Sequence, residues 1–219
     1  MNGHAFRLAG AALVAFPSGA LYWPDAGVLC VADLHLGKSQ RLARRGGALL
    51  PPYETEATLT RLDADLAASM PTRVICLGDS FDDLAAAAAL APATRARLMA
   101  LMAGRRWIWV LGNHDPGPVD LGGKHLAQVQ AQGLTFRHQA TPGACAEVSG
   151  HYHPKLSLPG TGAARPCFLH DAARLILPAY GTFTGGLSAR DPVLAGLFQP
   201  PAFAILTGRR PIRAPLTCV

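Results

Sequence analysis

The sequence predicts an α/β fold, an αββα sandwich in which two mixed sheets face each other and helices lie outside. Short apolar strands alternate with helical stretches as far as residue 111, which is typical of a parallel sheet covered by helices. The rest of the chain carries strand-like runs with few helical signals, which indicates a more antiparallel second sheet. No linker or internal repeat divides the chain, so we expect one domain over residues 1–219.

The elements of the first half follow from apolar runs and turn residues. Leu59, Leu62 and Leu66 fall on one face of a helix, which ends before Pro71. Pro92 interrupts a later Ala-rich helix. In this half we predict a hairpin over residues 11–16 and 20–23, strands over 28–32, 73–77 and 107–111, and helices over 53–69 and 84–102.

The second half is predicted to begin with a short helix over residues 124–132. Strand-like runs separated by turn residues follow this helix. They cover residues 134–137, 145–149, 166–170, 174–177 and 202–207.

The composition excludes several classes of protein. Half of the residues are hydrophobic and only 16% are charged, which excludes a disordered polar chain. No apolar run reaches the roughly 18 residues of a membrane span, so no membrane partner is expected. The apolar run after Arg7 is similar to the core of a secretory signal, but the turn at Pro17 favours a hairpin. Five cysteines without CxxC spacing argue against a disulfide scaffold and favour a cytoplasmic protein.

Side chains that can bind metal ions stand directly after several of the predicted strands. The carboxyl ends of parallel strands share one edge of a sheet, so these side chains should meet in one crevice. Carboxylates, imidazoles and a side-chain amide suit a pair of divalent cations, with Mn²⁺, Fe²⁺ and Zn²⁺ left open. The segments are Asp33-Leu34-His35, Gly78-Asp79, Gly112-Asn113-His114-Asp115 and Gly150-His151-Tyr152-His153.

In this order, the motifs Asp-x-His, Gly-Asp, Gly-Asn-His-Asp and Gly-His-x-His resemble the signature of the calcineurin-like metallophosphoesterases. They run from residue 33 to residue 153, over more than half of the chain. Residues 31–38, 77–81, 150–154 and 177–186 are also similar to a bacterial family within that superfamily, the ligase-associated DNA damage response endonucleases (PdeM). The resemblance implies the calcineurin-like αββα fold and a centre with two divalent metal ions, of which Mn²⁺ is expected first.

The resemblance also assigns ligands to each metal ion. These would be Asp33, His35, Asp79 and His153 for the first ion, and Asn113 and His151 for the second. Asp79 would bridge the two ions. The second ion requires one further histidine, for which the sequence offers His125 and His138. We select His138, because it follows the strand over residues 134–137, whereas His125 falls in the predicted helix.

The other candidate residues would act on the substrate. His114 is the candidate catalytic residue, which would protonate the leaving group or stabilise its charge. Asp115 would orient the His114 ring, although a turn cap explains this carboxylate equally well. Lys38, Arg44 and Arg45 follow the first motif and would bind the phosphates that flank the scissile bond. A solvated helix face is the alternative for these three cations.

One position departs from the family pattern. Asp82 stands where a histidine is expected after residues 78–81. That position is not a metal ligand in the family pattern, but the added negative charge near the metal ions is expected to affect substrate preference or metal choice.

The resemblance implies a Mn²⁺-dependent endonuclease that cuts single-stranded DNA in DNA repair, alongside a ligase, a helicase and another nuclease. The alternative is a small-molecule phosphoesterase, such as a nucleotidase or a cyclic-nucleotide phosphodiesterase, because both classes share the metal core. A non-catalytic metal-binding module is disfavoured, because every expected ligand position is filled. No aromatic-rich stretch predicts a stacking platform, so the residues alone give single-stranded DNA little support.

Overall fold

The computed structural model describes residues 3–47, 51, 53–159 and 162–216, and places two mixed sheets face to face. The first sheet contains, in spatial order, β1 (His4–Leu8), β2 (Ala11–Ala15), β3 (Leu21–Trp23), β4 (Val28–Val31), β5 (Arg73–Leu77), β6 (Arg106–Val110) and β7 (Lys124–Leu126). Neighbouring strands are antiparallel from β1 to β4 and parallel from β4 to β7.

The second sheet is formed by the rest of the chain. Its strands are β8 (Gln128–Ala131), β9 (Leu134–Arg137), β10 (Glu147–Ser149), β11 (Lys155–Leu156), β12 (Arg165–His170), β13 (Arg174–Ile176), β14 (Ala202–Leu206) and β15 (Ile212–Leu216). Their order is β15-β14-β12-β13-β10-β9-β8, with β11 paired to β12. Strand β10 is parallel to β9 and to β13, and the other pairs are antiparallel.

The helices cover the outer faces of the sheets. They are α1 (Lys38–Arg44), α2 (Glu54–Ser69), α3 (Leu84–Ala88), α4 (Pro92–Met102) and α5 (Pro192–Ala195), with one 3₁₀ turn over Pro24–Ala26. Leu59 of α2 and Leu98 of α4 pack on the first sheet, and Leu194 of α5 packs on the second. Ile108 and Phe168 lie between the two sheets. The predicted αββα arrangement is confirmed, and the single domain stays a prediction.

The predicted helix over residues 124–132 is wrong, because β7 and β8 occupy this segment. Strand β7 adds to the edge of the first sheet beside β6, and β8 forms a hairpin with β9. Gln132 (φ 43°) and Gly133 (φ 88°) make the two-residue turn of this hairpin, and such turns favour glycine. Val129 is buried between exposed neighbours, which is the two-residue alternation of a strand.

Several short or peripheral elements have no counterpart in the sequence-based prediction. Strands β1 and β15 are the outer strands of their sheets, β11 has two residues and α5 has four. Such elements are short and carry weak periodic signals. Among the described residues, no helix combines the length and the apolar character that crossing a bilayer requires.

Candidate metal centre

All seven predicted metal ligands lie in loops that leave the carboxyl ends of strands. Asp33 and His35 follow β4, Asp79 follows β5, Asn113 follows β6, His138 follows β9, and His151 and His153 follow β10. Because β4, β5 and β6 are parallel neighbours, their loops emerge at one edge of the first sheet. The His151 backbone N–H donates to Asp33 Oδ2 at 2.9 Å, which joins this edge to the second sheet.

Asp33, His35 and His153 form the first group of donors. His35 Nε2 lies 3.4 Å from His153 Nε2, and His153 Nε2 lies 3.4 Å from Asp33 Oδ1. Asp33 is fully buried, and its Oδ1 has no hydrogen-bond donor within the described part of the chain. A buried carboxylate oxygen without a donor is costly unless a cation completes its surroundings. This orphaned oxygen therefore fits a metal ion.

The second group is centred on His138 Nε2 and includes Asp79, Asn113 and His151. His138 Nε2 lies 2.9 Å from Asn113 Oδ1, 3.0 Å from His151 Nδ1 and 3.4 Å from Asp79 Oδ2. The other ring nitrogen, Nδ1, donates to the carbonyl of Leu77 at 2.8 Å. That hydrogen bond orients the ring so that Nε2 faces the other donors, as in metal-binding histidines.

The two groups suit a pair of divalent cations. Their donors are carboxylate oxygens, one amide oxygen and imidazole nitrogens, which Mn²⁺, Fe²⁺ and Zn²⁺ all accept. The groups adjoin, since Asp33 Oδ1 lies 3.8 Å from His138 Nδ1. Asp79 lies in the second group, and its assignment as the bridging ligand stays a prediction.

The backbone at the centre is held in conformations that residues with a side chain rarely adopt. The affected ligands are Asp33 (φ 54°), His35 (φ 46°), Asp79 (φ 46°), His151 (φ 74°) and His153 (φ 49°). Each such conformation costs about 1–3 kcal/mol and persists only where the surroundings enforce it. The clustering of this strain at the predicted ligands indicates that the loops are shaped for a function rather than for stability.

The glycines of the motifs are required by close packing around the ligands. A Cβ atom at Gly78 would lie 2.5 Å from His138 Nδ1, and one at Gly150 would lie 2.6 Å from Asp33 Oδ2. Both distances are far below van der Waals contact, so a larger residue would displace a ligand. The Gly-Asp and Gly-His-x-His patterns therefore have a steric origin.

The second group holds a proton when no metal is bound. Burial lowers the pKa of His138, but the hydrogen bond to Asp79 and the charges of Asp33 and Asp79 raise it to about 9. Burial also disfavours the charged form of Asp79 and so raises its pKa, but the hydrogen bond and charge of His138 lower this pKa to about 2. Burial and the charge of His138 both lower the pKa of His151. At neutral pH, His138 is therefore charged beside an ionised Asp79 and a neutral His151.

Metal binding to the second group should release a proton at neutral pH. The pKa of His138 is raised to about 9, so its Nε2 proton must leave before the nitrogen can bind a metal ion. The affinity should rise as the pH increases and level off above the pKa of His138. Calorimetric titration in two buffers with different ionisation enthalpies measures the released proton. Identical apparent enthalpies in both buffers would contradict this result.

His125, the alternative to His138, is not among the residues that form these two groups. It lies on β7, where its ring stacks on Trp109 with centroids 6.5 Å apart. We expect His138→Ala to lower the affinity for the second metal by about tenfold or more and His125→Ala to leave it unchanged. Titration with Mn²⁺, followed by the electron spin resonance of the free ion, compares the two variants. The reverse outcome would transfer the ligand role to His125.

His114 lies against the first group. Its backbone N–H donates to Asp79 Oδ1 at 2.8 Å, and its ring meets that of His35 edge to face, with centroids 5.0 Å apart. Its Nδ1 lies 2.9 Å from the carbonyl oxygen of Asp82 and must be the donor, because a carbonyl only accepts. Nε2 is therefore the ring atom that can exchange a proton with the substrate.

The interpretation of Asp115 as the group that orients His114 is wrong, and the turn cap is correct. The carboxylate accepts backbone N–H groups from Asp79 (2.9 Å), Ser80 (2.8 Å), Phe81 (3.1 Å) and Gly112 (3.1 Å). Asp115 thereby joins the loop after β5 to the loop after β6, and fixes the backbone of Asp79.

Asp82 and Arg41 have a role that the sequence did not predict. Asp82 is buried, its Oδ1 accepts from His35 Nδ1 at 2.8 Å, and its Oδ2 accepts from Arg41 Nε. Burial raises the pKa of Asp82, but the hydrogen bonds and charges of His35 and Arg41 lower it to about 2. A carboxylate on Nδ1 leaves His35 Nε2 free for a metal ion. Two signals in the sequence could have indicated this role: Asp82 at a position where a histidine is expected, and Arg41 soon after the first motif.

Asp82→Asn should weaken binding of the first metal by about 10–100-fold. Arg41 Nε can only donate, so it would select the amide oxygen and turn the amide NH₂ toward His35 Nδ1. The ring proton would then move to Nε2, where it blocks the metal ion. The double variant Arg41→Met/Asp82→Asn frees the amide to turn and should recover most of the affinity.

Metal titration of these variants is compared with Asp83→Asn as the control. Asp83 is the adjacent carboxylate and caps α3 through Ala86 N–H, a role that asparagine also performs. If the double variant binds the first metal no better than Asp82→Asn, the amide orientation is not the cause.

The three candidate substrate-binding cations lie on or next to α1. Lys38 is half-buried at the first position of α1, whereas Arg44 and Arg45 are exposed at its end. Arg44 Nη2 donates to the Asp83 carboxylate at 2.9 Å, so part of its charge is neutralised. Contact of these cations with a substrate stays a prediction.

The fold and the metal centre together define a class, the phosphoester hydrolases that bind metal ions in an αββα sandwich. The sequence model of the family described as "Calcineurin-like phosphoesterase" matches residues 27–160, more than half of the chain. The chain belongs to the calcineurin-like phosphoesterase family. The broader resemblance is thereby confirmed, and the narrower one to the ligase-associated endonucleases stays a prediction.

A solved structure described as "Crystal structure of Pseudomonas putida nuclease MPE" is similar to this chain, with a TM-score of 0.75 and 31% sequence identity. The similarity covers 96% of this chain and 100% of that one, and so includes both sheets. Among curated proteins, none matches the chain.

Proposed function

We propose that this metal-dependent phosphoesterase is a Mn²⁺-dependent endonuclease that cuts single-stranded DNA. The observation that carries the proposal is a full set of ligands on one side of which the centre opens to solvent, while Asp33, His35, Asp79 and His138 are buried beneath. Asn113 is exposed, and His114, His151 and His153 are partly exposed. A centre that opens to solvent can accept a polymer that continues on both sides of the scissile bond. Similarity to a nuclease over nearly the whole chain supports the same conclusion.

The residues of the centre divide the chemistry between them. Asp33, His35 and His153, with Asp79, would hold one metal ion, and Asp79 with Asn113, His138 and His151 would hold the other. Bound ions supply a water of lowered pKa and offset negative charge on the phosphate. The protein must then protonate the leaving oxygen, since a DNA hydroxyl is a poor leaving group.

His114 is placed to supply that proton. Because its Nδ1–H donates to the Asp82 carbonyl, the charged ring carries its second proton on Nε2. Nε2 can then donate to the leaving oxygen. Lys38, Arg44 and Arg45 would contact the phosphates that flank the scissile bond.

The test uses circular DNA, which has no ends and is linearised only by an endonuclease. Purified protein with Mn²⁺ is incubated with circular single-stranded DNA, circular duplex DNA and a panel of nucleotides and cyclic nucleotides. We expect linearisation of the single-stranded circle, with Asp79→Ala protein as the control for contaminating nucleases. Hydrolysis of the nucleotides while the circle stays intact would instead establish the small-molecule phosphoesterase.

A role in DNA repair beside a ligase, a helicase and another nuclease belongs to the same proposal. It is supported by the similarity of residues 31–38 and 177–186 to ligase-associated endonucleases. We also propose a cytoplasmic location. The free thiols of the four described cysteines support it, and Cys218 lies outside the described residues.

A further inference from the structure

Two exposed aromatic side chains contact each other beside the metal centre. Tyr53, immediately before α2, is 58% exposed, and Phe183, in the segment between β13 and α5, is 43% exposed. Their ring centroids lie 5.9 Å apart with tilted planes. Neither ring has a part in the chemistry described above. Together they form an apolar surface on which a further planar ring can stack.

The loop that carries Phe183 is hydrogen-bonded to the first group of ligands at one end and lies close against it at the other. The Gly181 backbone N–H donates to the carbonyl of Asp33 at 3.0 Å. At the other end, a Cβ atom at Gly186 would lie 2.1 Å from the carbonyl oxygen of His153. Phe183 is only two residues from Gly181, a span of at most roughly 7 Å. The Phe183 backbone is therefore within reach of a nucleotide whose phosphate lies at this group.

The backbone of this loop is strained at Phe183, whose ring stays 43% exposed. Phe183 has a φ of 58°, which bulky residues rarely adopt. On either side, the Thr182 N–H donates to Thr58 Oγ1 at 3.1 Å, and Lys155 Nζ donates to the Thr184 carbonyl at 2.9 Å. A strained backbone that keeps a large apolar ring exposed is not explained by packing. Such strain clusters at active sites and at segments that hold ligands.

Tyr53 is tied to the first motif from the other side. The Gly37 N–H donates to Thr55 Oγ1 at 2.9 Å, which places the start of α2 against the segment that contains Lys38. The segments that carry Lys38 and the two aromatic rings therefore both adjoin the candidate ligands. The cation suits a phosphate of a nucleic acid, and the aromatic surface suits a base.

We propose that Tyr53 and Phe183 form a stacking platform for an unpaired base of the DNA strand that is cut. The inference rests on the proposed function and specifies how single-stranded substrate is recognised. A base within a duplex is already stacked and paired, so only a single strand can present a free face. One base stacked on an aromatic side chain contributes roughly 5–150-fold in affinity. The sequence did not indicate the platform, because the two rings come from distant segments.

The test compares a normal single-stranded oligonucleotide with one of equal length in which the bases are replaced by abasic sites. Binding is measured by fluorescence anisotropy in a Mn²⁺-loaded His114→Ala background, in which cleavage is slow. We expect the normal strand to bind roughly 5–150-fold more tightly than the abasic strand. Phe183→Ala and Tyr53→Ala should reduce this difference, and Phe183→Trp should preserve it. Met99→Ala is the control, since Met99 is an apolar side chain that is 50% exposed on α4.

Metal titration of each variant checks that the metal centre is retained, and circular dichroism checks that the fold is retained. Equal affinity of the parent protein for the normal and abasic strands would overturn the proposal. Full base dependence in the Tyr53→Ala/Phe183→Ala double variant would overturn it as well. If these variants lose base-dependent binding but the wild-type protein leaves circular DNA intact, the endonuclease proposal fails and the platform stands.

Discussion

Asp79→Ala should remove most of the bound metal and lower phosphodiester hydrolysis by about 10³-fold or more. Asp79 Oδ2 lies 3.4 Å from His138 Nε2, and Asp79 Oδ1 accepts the His114 backbone N–H at 2.8 Å. The substitution therefore removes an anionic ligand, leaves His138 without its ionic partner and releases the loop that carries His114. Because Asp79 is also the predicted bridge, we expect both metal ions to be affected.

Asp63→Ala is the matched control, since Asp63 is an exposed carboxylate on α2. Bound metal is counted by elemental analysis after gel filtration, and turnover is measured on an activated phosphodiester. Circular dichroism checks that both variants are folded. Equal metal content and equal turnover in the two variants would remove Asp79 from the centre.

His114→Ala should retain both metal ions but lower the rate of DNA cleavage by about 10²–10⁴-fold, the usual contribution of general acid catalysis. The leaving group of DNA is a sugar hydroxyl, which needs a proton. A nitrophenyl phosphodiester releases a stable anion and needs almost no help. The variant should therefore hydrolyse the activated ester at a rate much closer to that of the wild-type protein.

Both substrates are measured with the purified, metal-saturated variant, and its metal content is determined in parallel. The two rates falling by the same factor would show that His114 stabilises phosphate charge and does not act as an acid. A loss of metal would show that His114 is itself a ligand. His125→Ala is the control, because His125 stacks on Trp109 and belongs to neither group of donors.

The sequence predicts that the candidate ligands lie close together, because the determinants of their placement are local. A strand followed by Gly-Asp or by Gly-His-x-His is visible in a short segment, and parallel pairing of strands brings such segments to one edge. His138 follows a strand as predicted and lies beside Asn113 and His151, whereas His125 lies on β7 and not in the predicted helix. Close packing at Gly78 and Gly150 explains why these patterns include a glycine.

The contacts that the sequence did not predict join residues that are distant along the chain. Arg41 and Asp82 meet only because α1 packs beside the loop after β5, and Tyr53 and Phe183 meet across two separate loops. The sequence left two explanations open for Asp115, because both suit a residue next to His114. The prediction of a helix over residues 124–132 was wrong, because the strand-like alternation of this segment is short. The turn that follows also lacks the Asn-Gly pair that marks many hairpins.

The central claim is that two adjoining groups of ligands hold two divalent metal ions, and anomalous diffraction from crystals grown with Mn²⁺ tests it most directly. Data collected at the manganese absorption edge should show two peaks about 3.5–4 Å apart. One peak should lie among Asp33 Oδ1, His35 Nε2 and His153 Nε2. The other should lie among Asn113 Oδ1, His138 Nε2 and His151 Nδ1. A single peak, or peaks bound elsewhere while both groups contain only water, would contradict the account.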